Sequence, residues 1–196
     1  MGYRIEKDFL GEKQIPDEAY YGVQTLRGKE NFHITGIPMS TEPYFVKAFG
    51  YVKKAAALAN RDLGVLDTRI ADAIAAACDR LIAGEMRDQF VTDFIQGGAG
   101  TSTNMNANEV IANLALERLG HKKGEYQYVS PNDHVNFGQS TNDIYPTAFR
   151  LALIMRLASY MDALRRLQDA FFAKGKEFEN VLKMGRTHLQ DAVPMS

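Results

Sequence analysis

Pro146-Thr147-Ala148-Phe149-Arg150-Leu151-Ala152-Leu153-Ile154-Met155-Arg156-Leu157-Ala158-Ser159-Tyr160-Met161 decides the fold. Phe149, Leu151, Ala152, Met155, Leu157, Ala158 and Met161 recur at helical spacing, and Leu164, Leu167, Phe171, Phe172 and Phe178 carry the pattern to about Val181. Pro146 sits where the first turn of a helix tolerates it. At 1.5 Å per residue this is ~50 Å of helix. It is apolar on more than one side, so a chain of 196 residues cannot cover it. Such a helix asks for a bundle, and for an oligomeric one.

Upstream, the periodicity is interrupted by polar clusters. Asn136-Phe137-Gly138-Gln139-Ser140-Thr141-Asn142-Asp143 precedes the long helix, and residues 120–135 are loop-like. Met105 to Leu119 reads as a clean helix ended by Gly120. A glycine- and hydroxyl-rich loop, Gln96-Gly97-Gly98-Ala99-Gly100-Thr101-Ser102-Thr103-Asn104, stands before it. Two further helices are predicted. One runs from Pro43 to near Gly64 on the stripe Phe45, Val46, Phe49, Val52, Ala56, Leu58 and Ala59. The other is capped by Asp67 and ends near Gly84, with Ile70, Ala73, Ile74, Ala77, Cys78 and Leu81 on one face. Residues 1–43 read as an extended arm of short strands or turns. The fold class is mainly α.

Composition excludes several functions. The formal net charge of −1 gives no global field toward nucleic acid or an anionic membrane. One cysteine, Cys78, excludes an internal disulfide framework and fits a reducing cytoplasm. Its small apolar setting reads as inert packing. No apolar run approaches the ~18 residues of a membrane span. The N-terminus has no secretory h-region, and Glu6 stands where a myristoylation site needs Ser or Thr. A soluble, cytoplasmic protein is expected.

Three segments share one chemistry: Thr101-Ser102-Thr103-Asn104, Ser140-Thr141-Asn142, and Thr187-His188. The first two lie where helices start. A helix start carries unpaired N–H groups and a positive dipole end, so it attracts carboxylate or phosphate. Serine and threonine hydroxyls add donors. Two such starts, converging, would cradle a small anion without Lys or Arg, and His188 would add a switchable partner. The plainer alternative is that each Ser, Thr or Asn is an N-cap. Gly97-Gly98-Ala99-Gly100 lacks the Gly-Lys-Ser/Thr ending of a nucleotide loop and no buried strand precedes it. His33, His121 and His134 have no partners at metal-ligand spacing. The residues alone lead to a helical, oligomeric protein with a small-anion site, and to no reaction.

The ordered motifs add one. Gly97 through Asn113, Pro131-Asn132-Asp133-His134-Val135-Asn136 with Gln139-Ser140-Thr141-Asn142-Asp143, and Lys183 through Pro194 resemble the fumarase/aspartase superfamily. Ile5 to Gly11 and Tyr20 to Thr25 fit as well, so the resemblance covers nearly the whole chain. Thr101-Ser102, Ser130, Ser140-Thr141-Asn142-Asp143 and Asp191-Ala192-Val193-Pro194 lean to the branch that deaminates aspartate rather than to the fumarases. Gly138 departs from the family, where Ser or Cys is usual.

The resemblance implies an L-aspartase-like fold: an N-terminal lyase domain over 1–139 and, over 140–196, the start of a central helical-bundle domain. It implies a carbon–nitrogen lyase that interconverts L-aspartate with fumarate and ammonia through an aci-carboxylate. A class II fumarate hydratase and a non-catalytic helical assembly module are the alternatives. Thr101, Ser140 and Thr141 would bind the carboxylate beside the carbon that loses its proton. Asn142, Thr187 and His188 would contact the amino end and the other carboxylate. The family's general-base serine would lie beyond Ser196, which leaves these residues inactive by themselves. The family further implies a homotetramer with sites shared between subunits, small dicarboxylate partners, and no cofactor or metal in the chemistry.

Overall fold

The computed structural model describes residues 2–196, which fall into two compact units. The first ends at Leu153 and the second runs from Ile154 to Ser196.

In the first unit a hairpin, β1 (Tyr3–Asp8) and β2 (Gly11–Pro16), pairs antiparallel from Tyr3 opposite Pro16 to Asp8 opposite Gly11. The expected strands of the N-terminal arm are therefore present. The arm also holds a helix that periodicity did not reveal, α1 (Val23–Asn31). Only Val23 and Thr25 of α1 are buried, so its sequence carries almost no apolar stripe.

Next come α2 (Pro43–Asp62), α3 (Thr68–Ala83) and α4 (Thr101–Arg118). The side chain of Asp67 accepts from the N–H groups of Arg69 and Ile70, and Gly84 closes α3 at φ 94°, as the cap signals predicted. The buried face of α2 is Phe45, Val46, Phe49, Lys53 and Ala57, so a lysine occupies a position of the stripe. Against it α3 packs Ile74, Cys78 and Leu81.

The centre of the unit is α4, buried at every position from Thr103 to Leu116. It begins four residues earlier than predicted, so Thr101 to Asn104 are its first turn rather than a loop. Its polar side chains must find partners, because an unpaired buried polar group costs ~1–3 kcal/mol. Asn106 and Asn113 do so by tying down irregular segments, whereas Asn104 Oδ1 and Asn108 Oδ1 are buried without a hydrogen-bond partner among the described residues. Asn106 accepts from Val91 N (3.0 Å) and donates to Gln89 O (2.9 Å). Asn113 donates to Tyr20 O (2.8 Å) and accepts from Gly124 N (2.8 Å).

The long helix α5 (Thr141–Glu177) begins in this unit with Ile144, Ala148 and Ala152 buried. Tyr145 and Phe149 meet Phe45 of α2 edge-on, with ring centroids 5.2 and 6.2 Å apart. Because α5 starts at Thr141, Pro146 lies in its second turn, not its first. The proline therefore leaves the Asn142 carbonyl without its i+4 donor.

The second unit continues α5 and ends in a hairpin, β3 (Lys183–Thr187) and β4 (Gln190–Met195), with an irregularity at Gly185/Arg186. Leu153, at the end of the first unit, and Ile154, Leu157, Leu164, Leu167, Phe171 and Phe172, in the second, are exposed along α5. Among the described residues no helix is long and apolar enough to cross a membrane.

Candidate functional site

Two helix starts meet in the first unit. Gly100 precedes α4 at φ 87°, a conformation suited to glycine, and the Tyr145 ring of α5 lies where a Cβ would stand. The side-chain amide of Asn104, in the first turn of α4, donates to Thr141 Oγ1 at the start of α5 (3.2 Å). The two helix starts are thus joined through Asn104 and Thr141, while Thr101 faces a cleft lined with residues of α1 rather than with Ser140 or Thr141.

Their donors are only partly used. No side chain caps α4 from Gly100. Gln96 takes the Thr103 N–H at 2.7 Å, and Gly100 O takes that of Asn104 at 3.0 Å. No described group accepts the N–H of Thr101 or Ser102. At α5 the plain capping alternative is realised for one residue: Ser140 Oγ accepts from Asn142 N at 3.2 Å. Its O–H proton remains free to donate, as does that of Thr141, whose oxygen only accepts. Thr101, Ser140 and Asn142 are exposed and Thr141 is half-buried. Thr101 and Ser102 line an open cleft of about 500 Å³ with Gln24, Arg27, Gly28 and Met105. Arg27 in that cleft is committed to Asp8, at 2.8 and 2.9 Å, and to Gly11 O at 3.0 Å.

Behind the two starts lies a buried polar network. Lys53 is 0% exposed, and its Nζ donates to Asn136 Oδ1 (2.9 Å) and Gln139 Oε1 (2.8 Å). The same Asn136 oxygen accepts from Asn104 (3.1 Å) and Asn108 (3.2 Å). Burial pushes the Lys53 ammonium down to about 7. Sequence reading missed Lys53, although its signal was present: position 53 follows Val46 and Phe49 at spacings of seven and four.

A third helix start contrasts with these. Glu109, fully buried, accepts from the N–H groups of Gly22, Gln24 and Thr25 and from the Thr25 hydroxyl, at 2.6–3.0 Å. Glu6 accepts from Val23 N (2.9 Å) and from the Tyr126 hydroxyl (3.1 Å). Burial drives Glu109 up to about 7 against the pull of those bonds. Here the protein supplies its own anions.

Asp93 works similarly on an irregular segment. Burial opposes its ionisation, but the backbone N–H groups of Ile34, Thr35, Gly36 and Ile95 and the Thr35 hydroxyl outweigh it, holding the carboxyl well below the usual range.

Thr187 and His188 belong to the second unit. Thr187 ends β3, and His188 with Leu189 forms the two-residue turn into β4. Both turn residues have positive φ, 50° and 60°, and both are exposed. That is a primed hairpin turn built without glycine, which costs of order 1 kcal/mol per residue. Among the other histidines, His134 Nδ1 accepts from Ser130 N at 2.9 Å and His121 stacks on Tyr128 at 3.8 Å. Among the described residues no three His, Cys, Asp or Glu are placed to hold a metal ion.

Known proteins are similar to this chain in sequence and fold. A family model described as Lyase matches residues 11–196. Over 193 residues the chain is 60% identical to the aspartate ammonia-lyase of Helicobacter pylori strain J99, covering 98% of this chain and 41% of that protein. The chain thus spans about two fifths of the length of the curated relatives it matches. A Brucella melitensis fumarate lyase:delta crystallin, solved with cobalt bound, superimposes with a TM-score of 0.88 at 56% identity, over 98% of this chain and 42% of that one. A class II fumarase from Schistosoma mansoni superimposes at 0.83 and 40% identity, over 99% and 41%.

Proposed function

We propose a function on the premise that this chain belongs to the Lyase family, the fumarase/aspartase superfamily, whose model it matches from residue 11 to residue 196. The whole protein is an aspartate ammonia-lyase: it removes a proton beside one carboxylate of L-aspartate and expels ammonia from the neighbouring carbon, leaving fumarate. The observation that carries the reading is the junction of two helix starts through Asn104 and Thr141, with donors open and the one arginine of the neighbouring cleft, Arg27, already paired with Asp8. The greater identity to an aspartate ammonia-lyase (60%) than to a fumarase (40%) supports aspartate over malate.

The chemistry explains the donor set. Proton loss beside a carboxylate makes a doubly charged aci-carboxylate, and its stabilisation comes from donors aimed where charge develops. Thr101, Ser140 and Thr141 hydroxyls, with the first N–H groups of α4 and α5, serve the carboxylate next to the reacting carbon. These bonds strengthen as its oxygens gain charge, so they favour the transition state over the substrate. Asn142, Thr187 and His188 take the amino end and the second carboxylate. The general-base serine belongs to residues beyond Ser196, and residues 1–196 alone are inactive. No cofactor or metal enters the proposed steps.

The exposed apolar residues along α5 support a homotetramer in which these helices form a central bundle and copies share sites. In that scheme 1–139 is the N-terminal domain and 140–196 opens the bundle domain. The single buried Cys78 supports a reducing, cytoplasmic setting.

The test is direct. The whole protein is given L-aspartate or L-malate, and fumarate is followed by its ultraviolet absorbance. Aspartate is expected to turn over; turnover of malate alone would transfer the reading to a fumarate hydratase. Ser140→Ala and His188→Ala are each expected to lower turnover at least tenfold. Wild-type rates in both would mean that the proposed pocket is wrong, and no turnover of either substrate would leave a non-catalytic assembly module.

A further inference from the structure

Lys53 is a cation without a carboxylate. Its side chain is wholly buried, and both its recorded partners are amide oxygens. Its neighbour Lys54, by contrast, is half-exposed and paired with Asp79 at 2.6 Å. A buried ammonium without a counter-ion is costly, which burial expresses by lowering its affinity for the proton. A methionine would fill the same volume without that cost. The residue is therefore placed for what it holds.

What it holds is the turn that starts α5. Nζ anchors Asn136 and Gln139, three residues apart on either side of the exposed Phe137 and Gly138. The turn closes on itself through Asn136 Nδ2 to Gln139 O (3.1 Å) and Gln139 Nε2 to Val135 O (2.9 Å). Ser140 and Thr141 follow immediately. A second route runs through side chains: Lys53 Nζ to Asn136 Oδ1, Asn104 Nδ2 to that same oxygen, and Asn104 Nδ2 to Thr141 Oγ1, at 2.9, 3.1 and 3.2 Å. Asn104 thus touches the lysine's acceptor and the hydroxyl of the proposed site with one amide group.

We propose that Lys53 is a positioning residue of the carboxylate site: through Asn136 and Asn104 it fixes the Thr141 hydroxyl and the start of α5 against the start of α4. This rests on the carboxylate-binding reading above. Lys53 does not touch the substrate. It sets where a donor stands that must match the oxygen in the transition state more closely than in the ground state. A displaced Thr141 therefore lowers kcat more than it raises KM. A misplacement of ~1 Å in a catalytic group can cost ~100-fold in rate.

The experiment is a double-mutant cycle in the whole protein, with kcat and KM for L-aspartate and with calorimetric binding of succinate, an unreactive dicarboxylate. Thr141→Val is expected to lower kcat about 100-fold, as loss of one transition-state donor does. Lys53→Met is expected to lower kcat about 10-fold with less than a 3-fold change in KM. The double variant is expected within about 2-fold of Thr141→Val alone, because the lysine acts through the hydroxyl already removed. Lys54→Met, outside the network, keeps the wild-type rate. Should Lys53→Met fail to fold, Asn136→Leu cuts the same chain and is held to the same 10-fold loss and the same absence of further loss beside Thr141→Val. The failures separate. An unchanged kcat in Thr141→Val overturns the carboxylate-site reading itself. A normal Thr141→Val loss with wild-type kcat in Lys53→Met, or with losses that simply multiply, overturns the positioning role.

Discussion

The start of α1 and the paired starts of α4 and α5 face the same electrostatic demand and meet it differently. At α1, the protein supplies two carboxylates. Glu109 and Glu6 take the N–H groups of Gly22 to Thr25, and the site is closed to any other anion. At α4 and α5, no carboxylate is supplied. Thr101, Ser102, Ser140 and Thr141 keep donors free, and the buried charge behind them is the cation Lys53. A helix start filled from within is structural, and one left open is a place for a ligand.

The largest effect is expected where the anion is removed from the filled start. Glu109→Ala leaves three backbone N–H groups and the Thr25 hydroxyl buried without an acceptor, and opens a cavity. A loss of about 3–5 kcal/mol of stability follows, read as a fall in melting temperature. A variant melting like wild type would break the comparison at its structural end. At the open end the same kind of surgery moves activity instead. Thr141→Val costs about 100-fold in kcat/KM, near 3 kcal/mol of transition-state stabilisation. It shifts stability by less than ~1 kcal/mol, because Asn104 keeps its bond to Asn136.

How far the sequence announced this contrast depends on what each feature writes into it. The open starts were legible: Gly100 before Thr101, and hydroxyls at 101, 140 and 141, are local signals, and α2, α3 and α5 wrote themselves as apolar stripes. The first turn of α4 was hidden, because Thr, Ser and Asn read as loop until their partners are known. The filled start was not legible at all. Glu109 lies 84 residues or more from the groups it caps, and no local pattern records a contact of that span. Its helix α1 buries only two residues, so it lacks the stripe that reveals the others. Lys53 was missed for the opposite reason: a lysine on an apolar face is expected to reach for solvent, and only the tertiary fold closes over it. His188 was singled out from its segment and given its role by resemblance, but its left-handed turn was not legible, since nothing in His-Leu favours positive φ.

The buried charges behind the two kinds of start also differ in their response to pH. Lys53 is lowered by burial to about 7 from 10.5. Between those values the unfolded chain binds a proton that the folded chain does not, so stability rises with pH across the window. The cost of burying the ammonium is fully present below pH 7 and gone above the unfolded value. Thermal unfolding of the whole protein from pH 6 to pH 10 is expected to show a rise that Lys53→Met flattens. An identical pH slope in both proteins would place the titration elsewhere.

The finest test is to convert one kind of start into the other. Thr101 is exposed at the first position of α4, at the cleft, with its own N–H and that of Ser102 unclaimed. Thr101→Asp supplies the anion that the protein withholds there. A carboxylate in the first turn stabilises a helix by about 0.3–1 kcal/mol when exposed, so the melting temperature should rise slightly. Because the new charge faces solvent, about 0.5 M salt should erase most of that gain. The buried Glu109 cap is screened far less, and its contribution should survive the same salt. The same carboxylate occupies the donors and repels a second anion, so succinate binding to the whole protein should weaken at least tenfold. Thr101→Asn separates the two effects: it keeps the size and polarity, adds no charge, and should lose less than half of that binding energy. A Thr101→Asp protein that binds succinate as wild type does would mean that the open donors of α4 are not where the dicarboxylate sits, and the contrast between open and filled starts would then hold for stability alone.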